Sequence, residues 1–221
     1  MNLTMKRIAV AAAALAALAT AQPAFAQGRC TRDQMQAIAD SWVAALNGGT
    51  PYGKMQLGEW VDFHRNMADG FMSEFFDMNP KKVDWHMIVL DTTACKAAVE
   101  TVIEDKGGPR VLVAQLNMGF NGVGPIDIVY PAAEPAGARA QFTQGTWAPI
   151  AAGQEMNRDA LIAAADAWLA DKQPGDKKER TYIVDPSLGA VQVFSHMAGK
   201  AASVTLRIEG GQVRASHVLT A

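Results

Sequence analysis

Four histidines, His64, His86, His196 and His217, are the side chains in this chain best suited to move a proton near neutral pH. His217 alternates with Val213, Ala215 and Leu219, so a strand there turns it toward an apolar face. An inward histidine of that kind is either a satisfied core residue or a pocket acid/base. His64 shares a stripe with Trp60 and Phe71 if its surroundings are helical, and that stripe would face a pocket. His196 falls off the Val191 and Val193 face and reads as a surface residue, whereas His86, next to Trp85, could face either way.

Two carboxylates add to this set because they sit in a repeat. Arg32-Asp33, Ala39-Asp40, Trp42 and Ala44 return as Arg158-Asp159, Ala165-Asp166, Trp168 and Ala170. The repeated Asp40 and Asp166 could anchor each helix to its sheet or act as a general base at a pocket mouth. Their duplication favours the anchor, since two copies of one active site with different walls are hard to justify. The acid/base candidates are therefore His217, His64 and Asp166, with Tyr52, Trp60, Trp168 and Phe71 as ligand-binding walls. No HxH or HExxH spacing, Gly-rich phosphate loop or GxSxG elbow is present, so we expect no metal and no cofactor. What is left is proton transfer without a cofactor.

The elements that must position these residues follow from apolar periodicity. Residues 1–26 read as a secretory signal: Lys6 and Arg7, an apolar run, then Ala24-Phe25-Ala26 before Gln27. The expected product is periplasmic or secreted, with no membrane anchor after cleavage. Setting Lys6 and Arg7 aside moves the formal charge from −2 to about −4, which argues against nucleic acid as a partner. In such a compartment Cys30 and Cys95 are expected to pair, a closure worth about 4 kcal/mol in the chain-entropy model.

Each copy of the repeat opens a segment that is helical first and strand-like afterwards, which predicts two related α+β units, 27–150 and 151–221. In the first, the spacing predicts helices over 31–46 and from Trp60 to Met78, the latter burying Phe63, Met67, Phe71, Phe75 and Phe76. Strands are expected at Trp85–Leu90, Ala97–Glu104, Arg110–Phe120 and Ile126–Pro131, with Trp147 closing the sheet. In the second, a helix from Asn157 to Asp171 precedes two hairpins, turning at Pro186–Gly189 and at Gly210-Gly211.

Several segments together resemble a known family. They are Cys30-Thr31-Arg32-Asp33, Leu90-Asp91-Thr92-Thr93-Ala94-Cys95, the second Arg158-Asp159 helix, Tyr182–Phe194 and Leu206–His217. In this order they are similar to a secreted domain of unknown function, common in fungi and also found in bacteria. That domain belongs to the nuclear transport factor 2-like (SnoaL-like) superfamily. The resemblance implies a curved mixed sheet wrapped around helices, a cystatin-like cone with an apolar pocket. It also implies an isomerase, dehydratase or lyase acting on a small hydrophobic or aromatic compound. The alternative is a non-catalytic ligand-binding or dimerisation module, with a homodimer as one arrangement. The stretch Asp62–Met78 departs from the fungal pattern, being longer and more aromatic.

Overall fold

The computed structural model describes residues 30–48, 55–78, 80, 82–119, 122–145, 147–172 and 179–221. The signal region and Tyr52 lie outside the described residues, as does the side chain of Phe76. The fold is α+β, with one mixed six-stranded sheet and one antiparallel four-stranded sheet.

Helix α1 (Arg32–Leu46) begins at a capping box, in which the Thr31 hydroxyl accepts from the Gln34 backbone and the Gln34 side chain answers it. Its buried stripe of Met35, Ala39, Trp42 and Leu46 packs on the first sheet with Phe75, Leu90 and Val99. That sheet has the order β2 (Ala68–Gly70), β1 (Phe63–Arg65), β6 (Gly122–Val129), β5 (Gly108–Gly119), β4 (Lys96–Asp105), β3 (Lys82–Asp91). A short helix α2 (Met72–Asp77) follows β2, and α3 (Ala138–Thr143) lies in the connection between the two units. Helix α4 (Arg158–Lys172) is capped by the Asn157 side chain, which accepts from Ala160 N at 2.8 Å. It packs on a meander of β7 (Thr181–Asp185), β8 (Ala190–Met197), β9 (Lys200–Glu209) and β10 (Gln212–Thr220).

The helix expected from Trp60 to Met78 is corrected. Phe63, Met67, Phe71 and Phe75 do recur at helical spacing, but Asn66 and Met67 take φ of 54° and 60°, values a helix cannot hold. They form the two-residue turn between β1 and β2, matching the primed hairpin type. Asn66 also joins the ladder: its Nδ2 donates to Tyr130 O at 3.1 Å and its Oδ1 accepts from Tyr130 N at 2.8 Å. Strand β1 therefore runs parallel to β6, with His64 opposite Asp127. Likewise, the stretch 141–150 expected to close the sheet around Trp147 forms no strand among its described residues, its start being the end of α3, and the two C-terminal hairpins are one continuous sheet.

The two sheets meet face to face. Val102, Val111, Val113 and Val129 of the first pack with Phe194 and Leu219 of the second, and Val89 and Ala98 pack with Ile183 and Ala190. The units correspond residue by residue in register. The row Val89–Ala98–Gln115–Asp127 matches Ile183–Gln192–Thr205–His217. Cys95 and Gly189 share a positive φ, 53° and 57°, at the same place in each turn.

The repeated arginines lock this pairing reciprocally. Arg32 donates to both carboxylate oxygens of Asp185, at 3.1 and 2.9 Å, so the first unit's helix grips the second unit's strand. Arg158 returns the contact to Asp91 Oδ2 at 3.2 and 2.9 Å. Both aspartates are buried, and each also accepts a backbone N–H from the other unit, Leu90 to Asp185 and Val184 to Asp91. A buried carboxylate satisfied by a guanidinium and several N–H groups fits the rule that such charges are retained only when fully bonded. The Cys30–Cys95 disulfide adds a covalent tie from the start of α1 to the turn after β3.

Candidate functional site

Register places a polar residue of each unit in the layer between the sheets, Asp127 on β6 and His217 on β10. Their surroundings differ completely. His217 Nδ1 lies 2.6 Å from Glu100 Oε2, with side chains 2% and 0% exposed. Phe142 stacks on the imidazole at 4.7 Å, Trp147 lies at 5.0 Å and Trp85 at 6.0 Å. Among the described residues His217 Nε2, Glu100 Oε1, Thr205 Oγ1 and Trp147 Nε1 are buried without a hydrogen-bond partner. This is a sealed imidazole–carboxylate pair, roofed by the connection between the units.

At the corresponding place in the other half, Phe194 occupies the register position of Glu100, and Asp127 that of His217. There the layer opens. His64, delivered by β1, sets its Nδ1 2.8 Å from Asp127 Oδ1, and Asn117 Nδ2 holds the second oxygen at 3.1 Å. An ionised carboxylate only accepts, so Nδ1–H donates to Asp127, which leaves Nε2 as the nitrogen able to exchange a proton. Asp69 on β2 stands beyond Nε2 at 3.6 Å. His64, Met67, Asp69, Asp127, Thr181 and Phe194 line a cavity of about 300 Å³. That size is at the small end of ligand pockets. A histidine oriented at one nitrogen by a carboxylate, and without a hydrogen bond at the other among the described residues, can take a proton from, or return it to, a bound molecule.

The structure separates the candidates named from the sequence. His64 lines a cavity, on a strand rather than the expected helix. His217 does face inward, but it is closed off from solvent. The bulge between Val213 and Ala215 shifts Val213 to the α4 side, so it does not share the face of His217. Asp166 sits on α4, outside the layer between the sheets, where it accepts from Arg180 at 2.6 Å and from the Tyr182 hydroxyl at 2.7 Å. Among the described residues its repeat partner Asp40 bonds Gln36 at 3.0 Å on the same helix, so the two do not share one anchoring role. Trp168 is half-buried against the second sheet, a packing residue and not a wall of the cavity. Trp60 and Phe71 are 83% and 75% exposed and also lie off the cavity beside His64. His196 pairs with Glu179 at 2.9 Å on the surface, and His86 is exposed on edge strand β3.

Glu100 and Asp127 carry both pairs, and neither stood out in the sequence. The available signal was a carboxylate inside an apolar strand, Glu100 among Ala98, Val99 and Val102, and Asp127 between Ile126 and Ile128.

A second cavity of about 330 Å³ lies around Tyr130. Arg65 and Arg110 approach its ring at 5.3 and 5.7 Å, and its hydroxyl donates to Asp105. Both cations are already engaged, Arg110 with Asp105 and two backbone carbonyls, Arg65 with Glu74. Burial, reinforced by Asp105, pushes the Tyr130 phenol well above its ordinary range. This cluster ties together the ends of β1, β4, β5 and β6. Comparison with protein-family models and with curated proteins gives no match to this chain.

Proposed function

We propose that the protein is an exported acid/base protein whose site is the open His64–Asp127 pair. His64 moves a proton on or off a small, partly apolar molecule held in the adjoining cavity. The observation that carries this is the pair itself: a carboxylate 2.8 Å from Nδ1 of an imidazole that lines a cavity. Proton transfer of this kind needs no cofactor, and isomerisation, dehydration and C–C lyase cleavage all begin with it. The secretory pattern of residues 1–26 and the disulfide support a periplasmic or secreted site of action. No helix among the described residues is long and apolar enough to cross a membrane. The SnoaL-like affinity stays a proposal, supported by the order of helix followed by an antiparallel meander in each unit.

One observation favours the alternative, a binding module without chemistry. The His64 and Asp127 side chains are 31% and 30% exposed, so the open site does not exclude water. Incubation of the protein with aromatic ketones and aminoketones in deuterium oxide separates the two. We expect deuterium to enter the carbon next to the carbonyl, and His64→Ala to slow this by about a hundredfold. Ligand binding with no exchange above buffer would establish the binding module instead.

A further inference from the structure

The cavity beside His64 is biased in charge as well as in shape. Of its six lining side chains two are carboxylates, Asp69 and Asp127, and none is lysine or arginine. Arg65, the next residue along β1, turns to the opposite face and lies over Tyr130. Arg180, one residue before β7, pairs with Asp166 on the α4 side. The remaining lining is apolar or neutral: Met67, Thr181 and the buried Phe194.

We propose that the ligand of this site is a small ammonium-bearing molecule with an apolar or aromatic body, an inference that rests on the reading of His64 given above. Asp69 Oδ1, on an exposed side chain, stands 3.6 Å from His64 Nε2, so an ammonium group held by Asp69 lies beside the nitrogen that moves the proton and leaves that nitrogen free. The Asp127 charge behind the imidazole adds attraction through a partly buried medium, where it is screened less than at the surface. Met67 supplies a polarisable thioether and Phe194 an aromatic ring for the body of the ligand. A carboxylate or phosphate would meet two like charges and no cation in the lining.

Three probes with one ring and different charges test this: benzylamine, benzyl alcohol and benzoate. Each is titrated into the full mature chain while the backbone resonances of His64, Met67, Thr181 and Phe194 are followed. Benzylamine is expected to saturate these signals at least about tenfold more tightly than benzyl alcohol, and benzoate to leave them unmoved. Asp69→Asn should weaken benzylamine a few-fold and leave benzyl alcohol unchanged, and added salt should act in the same direction. Benzoate or benzyl alcohol binding as tightly as benzylamine overturns the proposal. So does Asp69→Asn weakening all probes alike, or none of the three reaching the cavity. The readout is binding alone, so the proton-transfer reading still stands or falls on deuterium exchange.

Discussion

The two histidine–carboxylate pairs have the same chemistry and opposite surroundings, and their substitution should separate accordingly. His217→Ala leaves the Glu100 carboxyl buried without its main partner, the situation that costs about 3–5 kcal/mol when one member of a buried pair is removed. Glu100→Gln keeps the shape and an acceptor, and should cost less. Urea midpoints will decide: a His217→Ala loss under about 1 kcal/mol would mean the pair is not the braced contact drawn here. Two tyrosines should weaken the fold at alkaline pH. Tyr130 and Tyr182 have phenols raised above the ordinary 10.0, in both cases mainly by burial. A raised folded-state pKa contributes stability that is complete below the unfolded value and disappears as pH climbs through the folded one. The urea midpoint should therefore fall from about pH 10 upward, and Tyr130→Phe should flatten that fall. An unchanged slope in Tyr130→Phe would remove Tyr130 as its source.

Elements were legible where one period dominated. The β-branched alternation of β4, β5 and β9 and the capped stripes of α1 and α4 are plain in the residues. The segment carrying His64 was not, because Phe63, Met67, Phe71 and Phe75 satisfy a helical spacing that local backbone chemistry overrides. Asn66 decides it: a residue tolerant of positive φ whose amide pairs with the Tyr130 backbone on both sides. Asn66→Ala keeps the helical pattern while removing both bonds and straining the turn. We expect it to cost about 1–3 kcal/mol and to release β1 from β6, lowering proton transfer together with stability. Wild-type stability in this variant would mean that the hairpin is held by Phe63 packing alone. No alternation rule could have paired His64 with Asp127, since their contact depends on a parallel strand pairing across 63 positions of sequence.

At the scale of the whole molecule, the repeat that marks the sequence is the device that joins its halves. Arg32 and Arg158 each reach the other unit's buried aspartate, so the duplicated Arg-Asp motif reports the pairing of the units and says nothing directly of catalysis. An anchoring role, expected for the repeated Asp40 and Asp166, falls to these arginines. It falls also to Asp166, which ties α4 to Arg180 and to Tyr182 on β7, but not to Asp40, which bonds Gln36 on its own helix. The two histidine–carboxylate pairs lie where the copies have diverged: Glu100 against Phe194, His217 against Asp127, and the added β1–β2 hairpin that brings His64 to one half only. That divergence leaves one pair sealed and the other open to a cavity. The most direct test is deuterium incorporation into an aromatic ketone by wild type and by His64→Ala, each with and without added imidazole. Exchange should be lost in the variant by about a hundredfold and partly restored by imidazole entering the cavity. Wild-type exchange in His64→Ala would contradict the assignment of proton transfer to the open pair.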